Sequence, residues 1–288
     1  MKKNKTILIL GASGEVAQNF INNYDNKKNI LLFDLKFNKT LKSKYKKNYF
    51  SKFTKKFIEK VNKSNIILNF IGEIYLIDRM KNKNVFFLKK ILKILNKNKT
   101  KLFIHLSTAG IYNYLDLKPH KKYKNRLAYN SYEKTKIEGE DLLFDYEKLN
   151  RKFQLRIIRV AGLIDLKKSN LLTNLHKLSK FQFIFLLKRK KSYIFYYKKN
   201  LLVKKILFLI SNNNNNIKVI DLIKSETIML FYKKFLKLNK LYIIYIPNSI
   251  ENILKKILIF NIKYLQSSNN FFKYLSLLFS NKKFIHKQ

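Results

Sequence analysis

Through the first 160 residues, short apolar runs alternate with longer stretches whose apolar positions recur at helical spacing. Runs at 6–10, 29–34, 65–70, 101–107 and 154–160 read as five strands. They are apolar at consecutive positions, as strands covered on both faces must be. Helical patterns near 15–24, 51–62, 80–97 and 128–150 fall between or beside them. Strand and helix in regular alternation predict an α/β fold, a doubly wound parallel sheet with crossover helices. Beyond about residue 165 the pattern loosens. A helix is expected at 200–210, an exposed asparagine loop at 212–216, a strand at 217–222, a helix near 227–238, a strand at 241–246 and a helix after Pro247. The expected division is a first domain over 1–165 and a smaller C-terminal lobe over 166–288, some of whose segments re-enter the first.

Composition changes this picture in two ways. Sixty-two basic residues against 17 acidic ones give a formal charge of +45, which invites a nucleic-acid reading. Only six of the basic residues are arginine, the planar bidentate group that reads phosphates and bases best, and the lysines are scattered. Lys, Asn, Ile, Phe and Tyr dominate while Gly, Ala, Pro and Trp are scarce, as an AT-rich coding sequence produces. The charge is therefore read as background, and no specific nucleic-acid partner is expected. Against that bias the small residues stand out. All six glycines and all five alanines lie within residues 1–162, so tight backbone geometry is concentrated there.

The chain has no cysteine, which excludes disulfides, thiolate metal sites and a cysteine nucleophile. A cytoplasmic location is the expectation. The basic start is followed by only four apolar residues, Ile7 to Leu10, before Gly11, too few for a signal peptide. No run approaches the length of about 18 apolar residues that a membrane span needs. Residues 271–285 fit an amphipathic basic helix, either solvated or lying on a membrane surface. His105 reads as an interior or surface histidine; His120, His176 and His286 are isolated, so no metal site is expected.

Two constellations carry chemistry. In Ile7-Leu8-Ile9-Leu10-Gly11-Ala12-Ser13-Gly14-Glu15-Val16-Ala17, a buried strand meets a glycine turn and a helix start. Small residues at 11, 14 and 17 let the backbone turn, let a pyrophosphate approach the helix N-terminus, and let helix pack on strand. Gly11, Ser13, Gly14, Glu15 and Val16 are candidate dinucleotide contacts. Asp34, twenty-three residues after Gly11, ends the next apolar strand, where a carboxylate accepts from both ribose hydroxyls and repels a 2′-phosphate; such an Asp also serves as a plain turn former. The second constellation is Tyr132 and Lys136, i and i+4 on one helical face. An ammonium beside a phenol lowers its pKa and makes it a usable proton donor and acceptor. The spacing alone is cheap in a chain so rich in both residues, since Tyr24/Lys28 and Tyr114/Lys118 share it. Only Tyr132 lies twenty-four residues after a strand-end hydroxyl, Thr108, able to polarise a carbonyl. Ser107 and Thr108 also suit a strand-end cap.

With these residues in place, the chain resembles the extended short-chain dehydrogenases, the NAD-dependent epimerase/dehydratase family, over nearly its whole length. The family's glycine signature is similar to the segment 11–17, its next strand to Leu68-Asn69-Phe70-Ile71-Gly72, its helix asparagine to Asn84, its catalytic hydroxyl to Thr108 and its neighbouring serine to Ser107. Tyr132 and Lys136 resemble its catalytic pair, and Arg159 the arginine closing its last core strand. The resemblance implies a Rossmann-type domain holding NAD, with NADP as the alternative. It implies cofactor contacts at Gly72, Asn84, Ser107, Tyr132 and Lys136 beside those already named, and catalysis by Thr108, Tyr132 and Lys136. Residues 190–192 with Asn200-Leu201, and 242–254, resemble the nucleotide-sugar 4-epimerases and 4-ketoreductases of surface-polysaccharide pathways. That branch implies a nucleotide-sugar substrate and a homodimer. Three departures matter. Ala109-Gly110 replace the acid pair of the dehydratases, arguing against dehydration; no adenine-contacting acid is evident at 46–52; and Gly162 stands where many 4-epimerases carry a phosphate-binding asparagine.

Two other classes of function remain open at this point. The fold without catalysis would make a dinucleotide-sensing or RNA-binding protein, with the +45 charge as its support. An enzyme acting on a lipid or steroid alcohol would use the C-terminal helix as a peripheral membrane contact.

Overall fold

The computed structural model describes residues 5–74, 76–95, 101–112, 126–128, 130–164, 183–187, 193–212, 218–227, 229–231, 234 and 242–260. The asparagines at 213–216, the segments 190–192 and 271–285, and His120, His176 and His286 lie outside them. Twelve strands are described: β1 (Ile7–Leu10), β2 (Ile30–Phe33), β3 (Tyr49–Phe50), β4 (Ile66–Asn69), β5 (Lys101–Thr108), β6 (Phe153–Val160), β7 (Gly162–Ile164), β8 (Phe183–Leu187), β9 (Tyr193–Lys198), β10 (Val219–Leu222), β11 (Lys224–Thr227) and β12 (Tyr242–Ile246). The α-helices are α1 (Glu15–Asn23), α2 (Lys39–Tyr45), α3 (Lys55–Lys63), α4 (Ile77–Lys81), α5 (Phe87–Ile94), α6 (Ser131–Leu149), α7 (Lys199–Ser211) and α8 (Asn248–Phe260). Residues 229–231 and 234, within the helix expected near 227–238, are helical.

Seven strands form one sheet in the order β10-β6-β5-β4-β1-β2-β3. β1 pairs parallel with β2 and β4, β2 with β3, and β4 with β5. The doubly wound α/β class expected from the alternation is the class observed. Every residue of β1, β2 and β4 is buried, which is why these strands read as unbroken apolar runs. Phe57 and Val61 of α3, Phe87, Leu88, Ile91 and Leu92 of α5, and Leu143 of α6 join Leu8, Phe33, Ile67 and Phe103 of the strands in one core. Each such side chain contributes about 1.5–3 kcal/mol relative to exposure. Rings concentrate at the end of β2, where Phe33 lies 4.7 Å from Phe57 and 5.4 Å from Phe87, centre to centre.

Local signals set the helix starts. Asn38 caps α2 by accepting from Leu41 N, and Thr54 caps α3 by accepting from Phe57 N. The cap at Thr54 is why α3 begins later than the expected residue 51. The helix expected at 80–97 is interrupted by a π-turn, Asn82–Phe86, between α4 and α5. Lys101, only 1% exposed, opens β5 and donates from Nζ to the carbonyls of Val61, Asn62 and Ser64 at 2.8, 3.2 and 2.7 Å. Its ammonium closes the C-terminal end of α3, where the helix dipole is negative.

The chain divides into two compact units built from interleaved segments. One comprises Met1–Ser107, Glu138–Arg159 and Asn200–Asp221; the other comprises Thr108–Ile137, Val160–Lys199 and Leu222–Gln288. The first unit holds nearly all of the seven-stranded sheet. Within the second, β9 pairs antiparallel with β11 and parallel with β7, and β8 pairs parallel with β12. Ala109, Tyr112, Ala161, Phe195 and Ile223 pack together there.

Candidate active site

In the first unit the turn after β1 is built around Gly11. Its φ is +81°, and a Cβ there would stand 3.0 Å from both Cγ1 and the backbone nitrogen of Ile71. Conformation and space therefore both require glycine. Gly11 N and Ala12 N donate to Phe33 O at 2.9 and 3.1 Å, tying the turn to β2, and Gly14 N donates to Gly11 O at 3.0 Å. Gly14 is the N-cap of α1 and offers no side chain to the first amides of that helix. Ser13, Gly14 and Glu15 are exposed and Val16 is half-buried, so the start of α1, the end of a helix that favours an anion, faces solvent.

Asp34 follows β2 and is 7% exposed. Its Oδ2 accepts from Ser13 N at 2.6 Å and from Ser13 Oγ at 2.5 Å, and its Oδ1 accepts from Lys36 N at 3.2 Å. The two sequence candidates thus meet across the turn. A cleft of about 600 Å³ opens at the end of β2 between Phe33, Leu35, Phe53, Phe86 and Phe87, with Lys89, Lys90 and Lys93 also lining it. Asn84 sits in the π-turn, a frequent feature of functional helices. It accepts from Glu73 N at 2.8 Å and donates to Glu73 O at 3.2 Å, clamping the loop that carries the exposed Gly72. Asn69 ends β4, accepts from Ile71 N and donates to Nδ1 of the buried His105 at 3.0 Å. His105 is thus an interior histidine on β5. Among the described residues no group of three or more His, Cys, Asp or Glu could hold a metal ion.

The structure turns the Ser107 hydroxyl inward, where it donates to Glu140 Oε1 at 2.5 Å. Arg159 donates from Nε to the same oxygen at 3.0 Å and from Nη2 to Oε2 at 2.6 Å. Glu140 and Arg159 are 0% and 1% exposed. Glu140 was invisible as a candidate because acidic residues on a long helix are normally solvated. The one available signal was its place at i+4 from Lys136 and i+8 from Tyr132, on the same helical face.

In the second unit, Thr108 Oγ1 accepts from Gly110 N at 3.0 Å and caps the short helical turn Ala109–Ile111. The acceptor role leaves the hydroxyl proton for donation outward. Asn130 caps α6, its Oδ1 accepting from Glu133 N at 2.9 Å, which sets where Tyr132 and Lys136 stand on the first turns. Lys136 is 4% exposed. The Tyr132 phenol is pushed well above the ordinary tyrosine value, first by burial and then by the Glu133 carboxylate. The shift runs opposite to the lowering expected from a neighbouring ammonium, and the resident form at neutral pH is the protonated phenol.

No protein-family model and no curated sequence matches the chain. Solved structures do. A short-chain dehydrogenase/reductase superfamily protein from Agrobacterium tumefaciens with bound NAD is similar at 14% identity and TM-score 0.66, over 96% of each chain. UDP-glucuronic acid 4-epimerase from Bacillus cereus, in complex with UDP-glucuronic acid and NAD, is similar at 12% identity and TM-score 0.64, over 95% of this chain and 98% of that one. MoeE5 in complex with UDP-glucuronic acid and NAD is similar at 9% identity and TM-score 0.65, over 83% and 85%. The glycine turn, the strand order and these likenesses agree on one architecture: the chain has the Rossmann-type fold of the short-chain dehydrogenase/reductase proteins.

Proposed function

We propose that the chain is an NAD(P)-dependent enzyme of the epimerase/dehydratase family acting on a nucleotide sugar, as a 4-epimerase or 4-ketoreductase in surface-polysaccharide biosynthesis in the cytoplasm. The observation that carries this reading is the pairing of a glycine turn that a Cβ would fill, with Asp34 beside it, with a strand-end Thr108 and a helix bearing Tyr132 and Lys136. A binding protein has no chemical need of the second set. The ligands of the similar structures, NAD with UDP-glucose or UDP-glucuronic acid, support the same substrate class.

The residues of the glycine turn fit a dinucleotide: the start of α1 would hold its pyrophosphate, and Asp34 would accept from its ribose hydroxyls in place of Ser13. The cleft at Phe33, Phe53 and Phe87 suits an adenine ring. A bound nicotinamide supplies hydride exchange with a sugar carbon. Tyr132 would give its proton to the sugar carbonyl oxygen from the phenol form and would take one from the sugar hydroxyl only from the phenolate form, and Thr108 would donate a hydrogen bond to that same oxygen. Lys136, one turn on, orients the phenol and supplies positive charge when the proton leaves. Lysines lining the cleft raise the local concentration of an anionic nucleotide.

Mass spectrometry of cofactor released from the purified protein, with UDP-sugar turnover by wild type and Tyr132→Phe, tests the reading. Retained NAD with Tyr132-dependent sugar interconversion identifies an epimerase, and NAD(P)H consumption only with a keto-sugar identifies a reductase. No cofactor and no Tyr132-dependent chemistry would refute it; salt-sensitive RNA binding or sedimentation with anionic vesicles would then select between the other two classes.

A further inference from the structure

Gly110 and Glu133 occupy one place. The point where a Cβ on Gly110 would stand is 2.6 Å from Glu133 Oε1, 3.2 Å from Glu133 Cδ and 3.2 Å from Thr108 Oγ1. The chain has no side chain two residues after Thr108, and a carboxylate from the adjacent helix fills that space. Glu133 follows Tyr132 directly, so its charge lies beside both groups that would flank the reacting oxygen.

From this geometry we propose that Glu133 is a charge filter at the sugar end of the site, excluding sugars with a carboxylate next to the reacting carbon and admitting neutral or amino sugars. The proposal rests on the nucleotide-sugar reading above and specifies its substrate class. In a uronic acid the C6 carboxylate is attached one carbon from C4, so a sugar presenting C4 to Thr108 and Tyr132 brings its carboxylate into the neighbourhood of Glu133. Two like charges at about 4–6 Å in a partly dehydrated site oppose each other strongly enough to change affinity at least about tenfold. A hydroxymethyl group there donates a hydrogen bond to the carboxylate, and an ammonium adds charge attraction. The Glu133 carboxylate also raises the Tyr132 phenol, in keeping with a charge close to that hydroxyl.

Glu133 is also the third residue after the Asn130 cap, a position where Glu and Gln both support a helix start. A purely structural role would leave charge selectivity untouched, and Glu133→Gln keeps the capping geometry while removing the charge. Titration calorimetry of the holoprotein with UDP, UDP-glucose and UDP-glucuronic acid is the test, UDP serving as the reference without a sugar. The expected result is wild-type binding of UDP-glucose about tenfold or more tighter than UDP-glucuronic acid, with the ratio falling about tenfold in Glu133→Gln. Gly110→Ala, whose methyl displaces the carboxylate, moves the ratio the same way. UDP-sugars that bind without this preference, or a ratio unchanged in both variants, overturn the filter and leave the nucleotide-sugar reading standing. If UDP and both sugars fail to bind, that reading falls and the filter with it.

Discussion

Arg159→Met should be among the most damaging single substitutions in the sheet core. The change removes the guanidinium from a site where it is 1% exposed and leaves the Glu140 carboxylate, 0% exposed, facing Ser107. Two charge-assisted hydrogen bonds go with it, at 3.0 and 2.6 Å. Breaking one side of a buried pair costs about 3–5 kcal/mol, because the remaining charge stays desolvated. That is about a fifth or more of the stability of an ordinary domain. Replacing both partners removes the stranded charge, so Glu140→Met with Arg159→Met should be more stable than either single variant, with a coupling of about 3 kcal/mol. Urea unfolding followed by circular dichroism and by tyrosine fluorescence measures this, since the chain has 18 tyrosines and no tryptophan. Coincidence of the two transitions checks that a single free energy applies. Additive single and double losses, or a loss below about 1 kcal/mol for Arg159→Met, would refute the reasoning.

Gly11→Ala places a methyl 3.0 Å from Ile71 at φ +81°, and should cost about 1–2 kcal/mol in urea unfolding and abolish retention of NAD; unchanged NAD content would refute the role of the turn. Lys101→Met removes the ammonium that three carbonyls at the end of α3 share, leaving Val61 O only its 3.2 Å bond from Ser64 N, and should cost about 3 kcal/mol; Lys101→Arg, whose fork does not fit three converging carbonyls, should not restore it. Burial raises the phenols of Tyr24, Tyr45, Tyr146 and Tyr197 as well as that of Tyr132. A raised phenol stays protonated after its counterpart in the unfolded chain has ionised, so its stabilisation is whole below about pH 10 and is lost as pH rises through the folded value. Urea midpoints should therefore fall above pH 10, with a fraction of the 295 nm tyrosinate absorbance appearing only on unfolding; one uniform titration near pH 10 in the folded protein would contradict this.

What could be read in the sequence follows from how each residue is determined. β1, β2 and β4 are buried on both faces, so their apolar runs announced them, and Gly11 survived a bias against glycine because its φ and its contact with Ile71 admit nothing larger. β3 has two residues and α2 one buried position, Leu41, too little periodicity to register. β7, β9 and β11 make a three-stranded sheet from segments of three to six residues, with no crossover rhythm to mark it. Among the candidate residues, Tyr132 and Lys136 were proposed from spacing and Thr108 from its strand end. Glu140 and Glu133 were not, because each takes its meaning from a residue far away in sequence: Arg159 and Ser107 for one, Gly110 for the other.

The interleaving of segments bears on how the protein can be made. The sheet unit needs Glu138–Arg159 and Asn200–Asp221 as well as its first stretch, so a ribosome must deliver about three quarters of the chain before β10 can cover β6. Until then β6 is an unpaired edge in which Phe153, Leu155, Ile157, Ile158 and Val160 are apolar, open to pairing with another nascent chain. Fragments ending near residue 165 should therefore aggregate when expressed alone, although the glycine turn and its first two strands are complete within them. The same topology makes folding slow relative to a chain whose domains are consecutive, since the strand that closes the sheet is the last to arrive.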